Sequence, residues 1–442
     1  VTADTSCDAL VIGAGAGGMA AAARLQHLGY RTLLVERRDR VGGRASSMEV
    51  DGPDGTTFTV NTGALIFESG AENGRLFDDV GAEPGVIVPE RPVVLRMGRR
   101  DIPLMSGLSG AVFIRLLGGA GGLARRLPRL RPERGVDVEQ WLRSMRLGKR
   151  SHTLVRSLCS ALFGAGPADV EAALFFDYLT KPNALGVYAA HPEGSVGPWR
   201  ALAEHFQREG GELWLDADVV SVTFDDAGLA SGAVVARGAE TVTVEAGVVV
   251  SNAGPLATVG FCGDVAFPDG YADEVRAWSK PGSLITVNFA SRVPMTRMGG
   301  LMFFGTTRRL AYGGNITVLS PKMVPDGWHL YACAGTPLPA TGDFDLAAEV
   351  ELLKQDLRDT FPEFGSATIL SVEVCAGQDW PAQRGIAGKG LPQSTPVANL
   401  WNVGDGVYEW TAAGQSGCVE SARLVVEQIQ RRFPQVAVTG AG

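Results

Sequence analysis

The chain has 442 residues, 45% of them hydrophobic and 20% charged, and carries a net charge of −8. That length is long for one core, so two intimately connected domains are expected. The acidic balance argues against nucleic acid as a partner. No run reaches the length of a membrane span: the nearest, Ile102 to Ile114, is glycine-broken and stopped by Arg115. With no secretory signal at the start, the expectation is a soluble cytoplasmic protein. The six cysteines (Cys7, Cys159, Cys262, Cys333, Cys375, Cys418) and five histidines are scattered, with no C-x-x-C. That pattern argues against structural zinc or an iron–sulfur centre and for free thiols in a reducing compartment.

The first 45 residues carry the strongest signal. Cys7 to Ile12 reads as a buried strand, followed by Gly13-Ala14-Gly15-Ala16-Gly17-Gly18, an alanine-rich helix over Met19 to Leu28, and a second strand, Thr32 to Val35, ending in Glu36. This order is what a dinucleotide site needs. Gly13 permits a tight turn, Gly15 lets backbone N–H groups approach a pyrophosphate, and Gly18 lets helix and strand pack closely. The helix N-terminus offers unpaired N–H groups and a positive dipole end to the phosphates, and Glu36 is placed to accept hydrogen bonds from a ribose diol.

Glu36-Arg37-Arg38-Asp39-Arg40-Val41-Gly42-Gly43-Arg44 resembles the "E…R-x-G-G-R" signature of the two-dinucleotide-binding-domain flavoproteins, the superfamily of flavin amine oxidases, protoporphyrinogen oxidases and phytoene-desaturase-like enzymes. The doublet lets a second loop pass close to the pyrophosphate, and Arg44 adds a fork of donors to it. Arg37, Arg38 and Arg40 have the alternative reading of a solvated basic loop. The resemblance implies an α/β fold: a Rossmann-like FAD-binding domain of the glutathione-reductase type with an interleaved α+β substrate domain. On that reading residues 1–71, 191–275 and 395–442 build the FAD-binding domain, and 72–190 and 276–394 the substrate domain.

Further along, Asp51 to Gly55 is a hairpin signal, and in the family the Thr62-Gly63-Ala64 segment returns beneath the isoalloxazine. Residues 72–190 lose the dinucleotide pattern and show helix-like stretches over Leu108 to Arg126 and Val136 to Leu147. Arginines between Arg99 and Arg134 make this region locally basic; it reads either as amphipathic helices covering a cavity or as a weak membrane-surface contact admitting a lipid-soluble substrate. A helix is expected over Pro198 to Glu209, then strands over Glu212–Asp216, Val219–Phe224, Ala233–Ala236, Thr241–Glu245 and Gly247–Val250, ending in Ser251-Asn252-Ala253. This block resembles the second nucleotide-binding stretch of phytoene-desaturase relatives, which implies that the backbone of Val219 faces the adenine and that Asn252 lies beside the cofactor. Ser283 to Phe289 reads as a strand and Phe344 to Phe361 as a helix. The C-terminal signature is a strand ending at Gly404-Asp405 and a helix beginning near Gly417, with Cys418 and Val419 in its first turn. In the family that helix N-terminus points at the flavin pyrimidine carbonyl and stabilises negative charge there, while Asp405 meets the ribityl chain or the pyrophosphate.

Departures from the amine-oxidase pattern bear on substrate. Leu284 stands where those enzymes hold a lysine near flavin N5, Cys418 stands where they hold a cage aromatic, and their covalent-flavin cysteine has no counterpart. The resemblance therefore implies non-covalent FAD and hydride abstraction from a C–H bond of a small apolar molecule, alicyclic or isoprenoid-like, with the flavin carrying the chemistry. Candidate residues around the reacting bond are Tyr408, Trp410, Cys418, His191 and Glu193. The electron acceptor stays open between oxygen, a quinone and others, and the oligomeric state is not legible. Alternatives are an amine oxidase releasing hydrogen peroxide, a redox-neutral FAD isomerase, and a non-catalytic prenyl-binding escort protein of the same fold.

Overall fold

The computed structural model describes residues 4–70, 72–90, 93–103, 131–180, 188–388, 390–407 and 414–435. Its framework is two seven-stranded sheets. In the first, Thr5–Ile12 lies in parallel between Thr32–Val35 and Glu240–Ser251, and Glu212–Trp214 extends the sheet beyond Thr32–Val35. Beyond Glu240–Ser251 an antiparallel meander, Ala217–Phe224 and Ala230–Arg237, completes one edge. Strands buried on both faces read as continuous apolar runs, and Leu10, Val11, Leu34, Val249 and Val250 are fully enclosed. The two expected strands on either side of Ala246 are one strand of 12 residues, Glu240–Ser251. Ala246 and Gly247 do not interrupt it because the ladder to Thr5–Ile12 runs past both. Its first half pairs with the meander and its second half with Leu400–Asn402.

The helix after the glycine turn spans Ala16–His27, three residues earlier than the alanine run alone suggests, and is buried from Ala16 to Leu25. Small side chains are what let it sit between the sheet and the C-terminal helix Gly414–Arg432, against which it packs. That C-terminal helix also starts earlier than expected, at Gly414 rather than near Gly417. Gln415 anchors its first turn: its Nε2 donates to the Ile66 carbonyl at 2.7 Å and its Oε1 accepts from Trp199 Nε1 at 3.0 Å.

The second sheet is antiparallel except at one junction. Its order is Thr368–Cys375, Leu284–Ser291, His329–Gly335, Tyr312–Asn315, Leu301–Phe304, Val93–Met97 and Arg100–Pro103, with Leu301–Phe304 parallel to Val93–Met97. Helix Leu346–Thr360 covers one face through Leu353 and Leu357. Lys149–Phe163 and Ala172–Thr180 lie on the other side, in the core that also holds Leu284, Leu301 and Tyr312. A short ladder joins Phe67–Glu68 to Tyr188–Ala189. The fold is thus α/β, a Rossmann-like domain with an α+β partner. The expected helix over Leu108 to Arg126 lies outside the described residues. Among the described residues no helix is long and apolar enough to cross a membrane.

Candidate functional site

A cavity of about 470 Å³ opens between the two sheets. Its first wall is the glycine turn. Gly13 adopts φ +91°, open to glycine at little cost, and a Cβ on Gly18 would lie 1.8 Å from the Gly13 carbonyl oxygen. Helix and strand therefore approach to backbone contact here. Gly15 is the N-cap in extended conformation, with no side-chain cap and no acid in the first turn of the helix. The leading N–H groups and the positive end of the dipole are left for a ligand. The Asn252 side chain lies across this turn: a Cβ on Gly15 would meet Asn252 Nδ2 at 2.7 Å, and one on Gly17 would meet Asn252 Oδ1 at 2.6 Å.

Glu36 closes the end of the second strand. It is 7% exposed and on the cavity wall, and its oxygens accept from the Ala14 N–H at 2.7 Å and the Arg38 N–H at 3.0 Å. A carboxylate has about four acceptor positions, so this fixes its orientation and leaves capacity for a diol. Ala217, Asp218 and Val219 line the wall beside it, tied in by the Ala217 N–H donating to the Glu36 carbonyl at 3.0 Å.

Arg44 and Asp405, far apart in sequence, form an ion pair at 2.6 Å. The Arg44 guanidinium also donates to the carbonyls of Pro381 and Ala382. Burial works against its charge, but Asp405 outweighs burial and the net direction is up. A second, half-buried guanidinium, Arg384, lines the same cavity, with its Nη1 donating to the Gln378 carbonyl at 3.2 Å. Burial first, and the repulsion of Arg44 second, pull Arg384 down to about 10. Among the described residues it has no carboxylate in ion-pair range. Two half-buried cations thus stand with one ion-paired carboxylate beside an uncapped helix N-terminus, a surplus that a pyrophosphate would neutralise. The cradle that side chains would fill and this charge surplus both fit a dinucleotide.

Arg37 and Arg38 are not a free basic loop. The Arg37 guanidinium donates to the Asp379 carbonyl at 3.2 Å, and the Arg38 guanidinium stacks 3.8 Å from the Trp380 ring centre. They hold the 378–384 segment over the cavity. Arg40 instead binds Ser46 Oγ and Asp39.

The structure brings Gly13, Gly15, Gly17, Glu36, Arg37, Gly42, Gly43, Arg44, Gly63, Ala64, Val219, Asn252, Asp405 and Cys418 to one cavity. Others expected there stand behind the wall. Gly18 supports the turn, Thr62 is bound to the Ser46 carbonyl, and the Gly404 N–H donates to Ser421 Oγ at 2.8 Å. Because the last helix starts early, Gly417 and Val419 fall inside it as core. Tyr408 and Trp410 lie outside the described residues. His191 and Glu193 are not on the cavity wall. Glu193 is pulled outward by Lys322 at 3.0 Å and Arg200 at 3.3 Å, which hold its carboxyl below the usual range. His191 accepts the Glu193 N–H on Nδ1, and burial lowers its pKa. Cys418 does line the cavity; burial, then the Asp405 charge, push its thiol up to about 12, so it is a neutral apolar wall.

The far wall comes from the second sheet (Leu284, Leu301, Tyr312 and Cys375), the stretch 160–164, and the short ladder that carries Glu68 and Tyr188, with Ile66 beside it. Apart from Leu284, the residues of this wall were not singled out from sequence, nor were Trp380, Arg384 and Gln415. Trp380-Pro381 and Arg384-Gly385, just before the C-terminal signature, were a local signal; Tyr312 and Tyr188 had none.

Residues 11–81 match the family model of the NAD(P)-binding Rossmann-like domain. A Mycobacterium tuberculosis protein named as a flavin-containing monoamine oxidase is 27% identical over 316 residues, spanning 66% of each chain. A phytoene desaturase (neurosporene-forming) of Rhodobacter capsulatus is 46% identical over 79 residues, 17% of this chain and 15% of that one. The chain thus matches only part of these relatives' length. An oxidoreductase from Methanosarcina mazei shares the fold, with a TM-score of 0.79 and 23% identity over 95% of this chain and 100% of that one. The relatives fall on both sides of the amine-oxidase and desaturase divide: the chain carries a Rossmann-like nucleotide-binding segment and is similar to flavoprotein oxidoreductases of the flavin amine oxidase and phytoene-desaturase-like kinds.

Proposed function

We propose that the protein is an FAD-dependent dehydrogenase or desaturase that removes hydride from a C–H bond of an apolar alicyclic or isoprenoid-like molecule. The observation that carries this reading is the far wall of the cavity. Leu284, 6% exposed, occupies it together with Leu301, Leu162, Phe163 and Ile66, and Cys418 adds a neutral thiol. An apolar wall binds a hydrocarbon skeleton by burial, worth about 25 cal/mol per Å² removed from water, and it excludes water from the reacting carbon.

FAD would be held by the glycine turn, Glu36, Arg44 and Arg384, and when bound it supplies the hydride acceptor. The chain's own part is to bind the skeleton, keep the site dry and take up the proton that leaves with the hydride. Non-covalent attachment is favoured, since both cavity-facing thiols, Cys375 and Cys418, are held neutral by burial. The electron acceptor would be oxygen or a quinone.

One observation favours a second reading, amine oxidation: the carboxylate of Glu68 lies on the cavity wall and would attract an ammonium. Anaerobic titration of the flavin absorbance separates the two. Bleaching by alicyclic or terpenoid compounds and not by amines is expected; bleaching by amines alone would overturn the dehydrogenase reading.

A further inference from the structure

The expected reaction releases a proton as well as a hydride, and the residues named from sequence as its acceptors, His191 and Glu193, lie off the cavity. Inside the cavity stands a different group. Glu68 and Tyr188 are cross-strand partners on the short ladder, and both line the wall. Tyr178, from helix Ala172–Thr180, lies behind them. Its hydroxyl donates to Glu68 Oε1 at 2.6 Å and meets the Tyr188 hydroxyl at 3.1 Å. Tyr178 and Tyr188 are 7% and 4% exposed.

The order of protons along this chain follows from counting. A phenol has one proton. Tyr178 gives its proton to Glu68, so in the bond between the phenols Tyr188 is the donor. The Tyr188 oxygen then turns lone pairs, and no proton, towards the cavity. A second polar group on the same wall has the opposite character. The Tyr312 hydroxyl has no hydrogen-bond partner among the described residues, so its proton needs an acceptor from whatever the cavity holds.

We infer that Tyr188, Tyr178 and Glu68 form the proton exit of the site, and that the substrate delivers this proton from a hydroxyl group on its apolar skeleton. The inference rests on the hydride-transfer reading above and gives it a substrate class, an alicyclic or terpenoid alcohol. A hydroxyl donates to Tyr188, and a hydrocarbon has no donor for Tyr188. In the reaction the C–H pair leaves as hydride to the flavin and the C=O bond forms. The O–H proton passes to Tyr188, the Tyr188 proton to Tyr178, and the Tyr178 proton to the Glu68 carboxylate, so atoms and electrons balance. Burial and the neighbouring Glu68 charge raise both phenols, which keeps them protonated and suits them to pass a proton on. Tyr188 is the catalytic residue; Tyr178 and Glu68 act through it.

The test is rapid anaerobic mixing of flavin-loaded wild type, E68Q, E68D and Y178F with cyclohexanol, menthol and geraniol, their parent hydrocarbons, and cyclohexylamine. Bleaching by an alcohol is expected, with its rate constant lowered about 100-fold or more in E68Q and Y178F, substrate Kd unchanged, and partial rescue by E68D. Alcohol bleaching that is equally fast in E68Q and Y178F overturns the relay and leaves hydride transfer standing. Bleaching by hydrocarbons and not by alcohols overturns the hydroxyl assignment alone. Bleaching by amines alone, or by none of the probes, overturns the underlying reading. A second readout is independent of turnover: the alkaline tyrosine difference spectrum of E68Q should begin at lower pH than wild type, because the Glu68 charge no longer opposes Tyr178 ionisation. An unchanged spectrum overturns the network itself.

Discussion

The two walls of the cavity are built by different means. On the first-sheet side the ligand is offered backbone: N–H groups at an uncapped helix start, glycines that bring chain against chain, and a few charges spaced along one short stretch of sequence. On the second-sheet side it is offered side chains, Leu284, Leu301, Tyr312, Tyr188 and Glu68, drawn from strands scattered between residues 67 and 315. Backbone recognition tolerates few changes because there is no rotamer to move out of the way. Side-chain recognition can be altered one residue at a time.

The sharpest way to break that contrast is at Gly18. A Cβ there meets the Gly13 carbonyl oxygen at 1.8 Å, a backbone atom that cannot yield. G18A should abolish flavin binding and destabilise the fold by about 3 kcal/mol or more. The check is the ratio of flavin to protein absorbance on purification together with a thermal melt. At Gly15 the same added methyl meets only the Asn252 side chain. G15A should therefore be milder and be relieved by N252A. Equal damage from G18A and G15A would mean that the turn is not read as backbone.

Arg384 gives the next largest effect, and two opposite signs. Without a ligand it is a half-buried cation that Arg44 repels, and with a pyrophosphate it becomes a charge-assisted donor. R384M should raise the melting temperature of the FAD-free protein and weaken FAD binding by about 10- to 100-fold, as expected for one lost hydrogen bond to a charged group. Calorimetric titration of FAD into stripped protein reads the affinity. A loss of stability without loss of affinity would make Arg384 a packing residue.

These two sites also show why the halves differ in legibility. The glycine turn and Glu36 were legible from spacing, and the Gly42-Gly43 doublet and Arg44 in the same continuous stretch through the resemblance. Arg44 and Asp405 are distant in sequence, and their pairing was reachable only through the resemblance. The Glu68–Tyr188 register and the placing of Tyr312 depend on how strands from separate segments align. No local period encodes that alignment, so the proton acceptor was sought in the His191-Pro192-Glu193 turn. The early start of the last helix has the same origin, since Gln415 is set by Ile66 and Trp199 from other segments.

A third, smaller effect lies in pH. Cys7 and Cys262 on the first-sheet side, Cys333 in the second sheet and Cys418 on the cavity wall are each pushed from 9.0 up to about 12 by burial. A thiol whose folded pKa is raised stabilises the fold fully below its unfolded pKa, and that contribution is lost as pH climbs to the folded value. Melting temperature should therefore fall between pH 9 and pH 12 on the thiols' account and not below pH 9. Native protein at pH 8 should react slowly with a thiol reagent, and six thiols should appear on denaturation. A fast native thiol would show that one wall is more open than these burials require.

The smallest effect is expected where sequence placed the catalytic acid and base. Glu193 is tied outward to Lys322 and Arg200, and His191 to the Glu193 backbone. Neither reaches the cavity wall. H191A and E193A should keep full flavin content and change the rate of flavin bleaching by less than about 3-fold, within the range of a surface substitution of about 0.5 kcal/mol. Set against E68Q, this pair separates the two halves by function: a polar residue matters for turnover when its side chain faces the second-sheet wall, however suggestive its neighbours in sequence. A drop of 100-fold in H191A with the flavin retained would move the proton acceptor back to that turn and leave Glu68 as a carboxylate for binding alone.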